Sequence, residues 1–249
     1  MPTDYHSRRI LGSDMFEVWE GTDSDQRLGL PMPALQKPVP AEALLIDLPA
    51  PETFTFGQVS VLQALQNRKS RRQYRPDPLT LSELAFLCWA TQGVRKVEAD
   101  GSRLWRIPPS AGARHPFETY LAVLRVEGLQ PGLYRYLGLE HQLCLLRADP
   151  DIAEHIAHTC TGFARHSAVT FVWTAIPYRT EWRYCSVAPK FIAQDSGHVC
   201  QNLYLACEAV GAGTCAVSAY AQKALDEFLG VDGQTEFCVY SAPVGKALD

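Results

Sequence analysis

Five consecutive residues, Arg68-Lys69-Ser70-Arg71-Arg72, bring four cations and a hydroxyl together. An unpaired buried charge is costly, so the segment is either a solvated basic turn or a site for an anion. In an extended strand Arg68, Ser70 and Arg72 would share one side. Two guanidinium forks and a hydroxyl suit a phosphate, because arginine gives bidentate, charge-assisted hydrogen bonds. A second stretch is Pro108-Pro109-Ser110-Ala111-Gly112-Ala113-Arg114-His115-Pro116. It is either a plain Pro/Gly loop or a place where small residues let backbone approach a flat ligand, with Ser110 adding a hydroxyl. A third, Gly211-Ala212-Gly213-Thr214, follows a helical pattern and lacks the third glycine of a dinucleotide fingerprint. It reads as a helix-ending turn rather than a Rossmann site. Gly-x-Ser-x-Gly, Walker and His-Glu-x-x-His signatures are missing, and the seven histidines are scattered. No metal site is expected. His198, inside an apolar helical pattern, reads as a core histidine rather than a base.

The elements that must position these stretches are legible in part. Ser60 with Gln63, and Thr80 with Glu83, have capping-box spacing, which predicts helices near 60–67 and 81–92, the second stopped by Gly93. Strands are expected at 119–126, 132–137 and 141–146, as a meander. A helix over 151–160 precedes 168–176, an apolar run that predicts a strand buried on both faces. Val199, Leu203, Ala206 and Val210 make one stripe of a helix over 195–210, capped by Asp195 or Ser196 and ended by Gly211. A strand at 214–218, a helix at 221–229 and a strand at 236–241 complete the pattern. Strands and helices mix without strict βαβ alternation, which favours an α+β three-layer domain. Pro31, Pro33, Pro38, Pro40, Pro49 and Pro51 argue against regular structure in residues 1–55. That part reads as an extended arm packed on something else, a partner subunit being one choice. Residues 56–249 form the domain proper.

Composition narrows the function. The chain has 249 residues, 47% of them hydrophobic, and a net charge of −4. The basic cluster is therefore local, and no nucleic-acid partner is expected. The N-terminus has no apolar signal region and no run approaches 18 apolar residues, so the expectation is a cytoplasmic protein with no membrane contact. None of the eight cysteines forms a Cys-x-x-Cys pair, and most sit in apolar runs. They are expected to be free thiols in a reducing compartment, with Cys200 and Cys207 sharing a core face.

Taken in order, these motifs resemble the FMN-dependent nitroreductase family. The order is Arg-x-Ser-x-Arg, helix, Pro-Ser-Ala-Gly loop, Gly-Leu-Tyr-x-Tyr strand, Asp-x-Gly-His-x-x-Gln-Asn helix and Gly-x-Gly. The resemblance is closest to the SagB-type branch, which includes azoline dehydrogenases; Tyr5-His6 and the Pro-rich arm fit that branch. It implies a nitroreductase-like fold, a central, mostly antiparallel sheet flanked by helices, in a homodimer with FMN at the subunit interface. By the same resemblance Arg68, Ser70 and Arg72 would hold the phosphate and ribityl chain. Pro109, Ser110, Ala111 and Gly112 would line the flavin from the other subunit. Gly213, Thr214, Cys215 and Ala216 would run beside the ring system, with backbone N–H groups toward its polar edge, and Lys246 is the one C-terminal cation available to the phosphate. Related dehydrogenases carry Lys-Tyr where this chain has Arg183-Tyr184. Arg183 stays protonated and cannot be a base, whereas Tyr184 is an acid/base candidate. The implied activity is hydride transfer between flavin and NAD(P)H or a small organic substrate. The alternatives are an azoline- or peptide-modifying dehydrogenase and a non-catalytic flavin-binding protein.

Overall fold

The computed structural model describes residues 8–99, 101 and 103–248; Tyr5 and His6 lie outside them. The chain begins with α1 (Arg8–Leu11), α2 (Met15–Gly21) and β1 (Leu44–Asp47). Then come α3 (Val61–Asn67), α4 (Leu81–Gln92), β2 (Val94–Val97) and β3 (Leu104–Arg106). The centre holds β4 (Phe117–Val123), β5 (Gly132–Leu137), β6 (Gln142–Ala148), α5 (Ile152–Thr159) and β7 (Val169–Ala175). It ends with α6 (Tyr178–Tyr184), α7 (Ala188–Ala209), β8 (Ala212–Thr214), α8 (Gln222–Leu229) and β9 (Phe237–Lys246). Seven strands form one antiparallel sheet in the order β1-β6-β5-β4-β7-β9-β8.

The pleat of β4 explains the layers. Phe117, Leu121 and Val123 face a core shared with α4 and α7, while Tyr120 and Ala122 face a second core shared with α5 and α8. Alternate residues of one strand thus feed two cores, which requires helices on both faces. The expected three-layer α+β fold is what the chain adopts. Both capping boxes form, at Ser60/Gln63 and Thr80/Glu83. Gly93 ends α4 without a left-handed turn (φ −58). Its reason is proximity: a Cβ there would lie 2.5 Å from the Trp89 carbonyl oxygen.

Five expectations need correction, the first being His198, which is exposed on α7 rather than a core histidine. The arm is not devoid of regular structure: it carries α1 and α2, and β1 pairs with β6 as an edge strand of the sheet. Over residues 19–38 it packs on its own chain. Trp19 stacks on Tyr184, Trp182 Nε1 donates to the Leu30 carbonyl at 3.1 Å, and Arg179 Nε donates to the Ala34 carbonyl at 2.9 Å. Prolines exclude a central strand but not an edge strand placed between them. The long helix starts at Ala188, with Pro189 in its first turn, so Asp195 lies inside it and is not a cap. The last strands shift as well, β8 to 212–214 and β9 to 237–246. All eight cysteines are free, seven of them buried.

Candidate functional site

The basic segment is anchored to α7 through Arg71. Arg71 pairs with Glu208 of α7 at 2.6 Å, and its backbone N–H donates to the Thr214 carbonyl at 2.9 Å. Gly213 makes this possible, since a Cβ there would lie 2.5 Å from the Arg71 side chain. Ser70 Oγ hydrogen-bonds to the Tyr204 hydroxyl at 2.9 Å, and the Arg68 guanidinium lies 5.1 Å above the Tyr204 ring. Arg72 is exposed. Tyr204 and Glu208, one turn apart on α7, are therefore the platform for 68–72, and sequence reasoning missed both. Their i, i+4 spacing beside the apolar stripe was the available signal.

The 213–216 turn joins the same platform. The Ala216 N–H donates to the Tyr204 hydroxyl at 2.9 Å, so this donor already has a partner within the chain. Thr214 is buried, its hydroxyl donating to the Pro243 carbonyl at 2.9 Å, and Cys215 is buried beside it. Lys246 sits apart from this group. Its ammonium pairs with Glu83 and donates to the Val210 carbonyl at 3.3 Å, so its charge is compensated inside the chain.

The Pro-Ser-Ala-Gly loop is clamped to a different part of α7. Ser110 Oγ donates to Asp195 Oδ2 at 2.6 Å, and the Ala111 N–H donates to Asp195 Oδ1 at 3.2 Å. Asp195 is only 3% exposed, and burial pushes its carboxyl up despite these donors. The Ser110 hydroxyl also accepts from the His115 N–H at 2.9 Å. The loop is strained: Gly112, Ala113 and His115 all have left-handed φ, at 57, 54 and 45°. Gly112 is required on two grounds, since a Cβ would run into the Tyr184 hydroxyl and approach Arg183. Tyr184 and Arg183 thus touch the loop, as part of α6. Phe191 and Trp19 flank the Tyr184 ring at 4.7 and 6.4 Å, and the Arg183 guanidinium lies 5.4 Å from it.

The chain therefore presents two separate clusters. Asp195 and Tyr204 are nine residues apart on one helix, or roughly 13 Å along its axis. The first cluster joins 68–72 with 213–216; the second joins 109–112 with Arg183 and Tyr184.

Burial gives the second cluster a pH dependence. His115 is pushed down to about 3, first by desolvation and then by the Arg106 charge. A depressed base stabilises the fold while neutral, above its unfolded value, and that stability drains as pH falls from 6.5 toward 3. By linkage the loss at pH 5 is about 2 kcal/mol. Acid unfolding of His115→Asn should be flatter over that window; a curve parallel to the wild type would refute this.

Comparison with known proteins decides the family. The nitroreductase family model matches residues 65–246, from just before the basic segment to Lys246. The chain belongs to the nitroreductase family. A nitroreductase-like protein of Methanocaldococcus jannaschii is 28% identical over 194 residues, covering 77% of this chain and 93% of the relative. A crystal structure of a nitroreductase-like protein from Ralstonia eutropha superposes with a TM-score of 0.67 at 26% identity, covering 88% of this chain and all of that one. A chain of the Escherichia coli microcin synthetase McbBCD complex, solved with truncated pro-MccB17 bound, has a TM-score of 0.61 at 17% identity. That match covers 98% of this chain and 96% of the other, and shows a shared fold. Nitroreductase membership implies an oxidoreductase, and the family generally binds flavin. Among the described residues no helix of the chain is long and apolar enough to cross a membrane.

Proposed function

We propose that the protein is an FMN-dependent oxidoreductase acting on a small organic substrate, with NAD(P)H as a donor it can use. The carrying observation is the 68–72 segment. Arg71 is paired with Glu208, while Arg68 and Arg72, which flank Ser70 in sequence, have no carboxylate partner among the described residues. That donor set fits a phosphate. The loop fits the other end of the cofactor, because Pro109, Ala111 and Gly112 offer small, uncharged contacts on a rigidly clamped backbone. The separation of the two clusters along α7 supports a homodimer in which one subunit supplies residues 68–72 and 213–216 and its partner supplies the loop. Bound there, FMN supplies hydride-transfer chemistry, which is the cofactor's own. The chain's residues hold, orient and shield it.

Tyr184 is the residue of the second cluster able to move a proton at its hydroxyl, and Gly112 leaves that hydroxyl room. Tyr184→Phe should change stability by less than about 0.5 kcal/mol, because the hydroxyl has no hydrogen-bond partner among the described residues. Turnover should fall about tenfold or more if proton transfer there is required. Unchanged steady-state rates would remove Tyr184 from the mechanism.

A second reading, an azoline- or peptide-modifying dehydrogenase of the SagB type, is supported by the fold likeness to a microcin synthetase chain, which extends over the arm. Arg183 weighs against it, since a guanidinium does not serve as a base. Anaerobic addition of NAD(P)H separates the readings. Bleaching of the bound flavin supports the reductase. Bound flavin indifferent to both nicotinamides supports a dehydrogenase or a non-catalytic carrier, and failure to take up FMN overturns all three.

A further inference from the structure

A cavity of about 390 Å³ opens beside the 108–113 loop. Its lining includes Arg95, Arg103, Arg106 and Arg183 together with Trp105 and Pro109. The β2–β3 hairpin supplies three of these arginines, Arg95 on β2, Arg103 just before β3 and Arg106 at its end. No carboxylate belongs to the described lining. Glu98, the acid of the same hairpin, is engaged by Lys96 at 3.1 Å and by Trp105 Nε1 at 2.9 Å. Arg106 is only 5% exposed, donates one N–H to the Gln92 carbonyl at 2.5 Å, and leaves its Nε without a partner. Arg183 Nε likewise has none.

Four arginines and no described carboxylate line this cavity, so an anion entering it meets positive charge without an acidic competitor. Such an arrangement is stabilised by an anion held between them. The Trp105 indole and Pro109 suit a flat apolar body. We infer that this cavity selects an organic carboxylate as the substrate, with its carboxylate held by the lining arginines and its body against Trp105 and Pro109. Arg183, which stands where a tunable lysine would allow base chemistry, is then an anchor for substrate charge. The inference rests on the oxidoreductase reading for the word substrate; the binding itself needs no flavin.

Two probes of the same ring, 4-nitrobenzoate and neutral 4-nitrobenzyl alcohol, test it by quenching of tryptophan fluorescence in the full-length protein, with and without FMN. The acid should bind at least about tenfold more tightly than the alcohol, by its charge-assisted contacts. Arg95 and Arg103 are exposed, so the Arg95→Ala, Arg103→Ala double variant should fold. It should lose the preference while its affinity for the alcohol stays put, and Arg103→Lys should keep most of it. Equal binding of acid and alcohol, or a preference that survives in the double variant, overturns the inference. Displacement of the acid by an equal concentration of inorganic phosphate also overturns it, assigning the cavity to a phosphate. Acid preference in protein that takes up no FMN would defeat the oxidoreductase reading and leave the cavity assignment standing. FMN uptake without acid preference does the reverse.

Discussion

Arg68→Ala combined with Arg72→Ala should cost the protein its FMN. Each arginine gives charge-assisted hydrogen bonds to a phosphate, about 1.5–3 kcal/mol apiece. Together they predict an affinity loss on the order of 10²–10⁴-fold. The effect should be confined to binding. Arg72 is exposed, and Arg68 contributes to the fold mainly through its stack on Tyr204, worth about 0.5–1 kcal/mol. Fluorescence titration of flavin-free protein with FMN, beside a thermal melt, separates the two quantities. The single variant Arg72→Ala should show part of the loss. Arg71→Ala should behave differently: it leaves Glu208 unpaired against α7 and should lower the melting temperature along with affinity. Equal FMN affinity in the double variant would count against the phosphate reading.

Asp195→Ala should be the most damaging single substitution for the loop. The Asp195 carboxylate is buried and is the acceptor for the Ser110 hydroxyl and the Ala111 N–H. Removing it leaves two donors unpaired, each costing about 1–3 kcal/mol, and opens a small cavity in α7. The expected loss is about 3–5 kcal/mol of unfolding free energy, a large share of a typical domain's stability. Asp195→Asn keeps an acceptor oxygen and the volume, so its loss should be smaller. It should also remove a pH effect. Burial raises the Asp195 carboxyl in the folded state, so its contribution is greatest when it is protonated at low pH and declines as pH rises through its folded value. Denaturant titrations of both variants across pH check this. An alanine variant within about 1 kcal/mol of the wild type would show that the clamp does not hold the loop.

The motifs were legible because their chemistry is local. Arg68, Ser70 and Arg72 alternate in sequence, and alternation survives in any extended segment. The capping boxes of α3 and α4 are likewise set by residues three apart. What sequence could not show depends on long-range contact. Asp195 looks like a helix cap by residue type; only packing of the 108–116 loop against α7 turns it into a buried clamp. Lys246 looks like a free cation until Glu83, far away in sequence, is seen to hold it. The 94–106 hairpin gave little signal, because β2 has the short pattern Val-Arg-Lys-Val and exposes most of it. Prolines hid the edge strand β1 among irregular neighbours, and sheet pairing to β6 decides it. Gly112 could be flagged for backbone freedom, but its contact with Tyr184 belongs to the fold.

The most direct test compares FMN with riboflavin, which has the same ring and ribityl chain but no phosphate. Dissociation constants for both on the flavin-free protein isolate the contribution of residues 68–72. The phosphate site predicts that FMN binds at least about 100-fold more tightly, a difference of about 2.7 kcal/mol, and that the Arg68→Ala, Arg72→Ala variant erases the gap. FMN and riboflavin binding with equal affinity to the wild-type protein would contradict it.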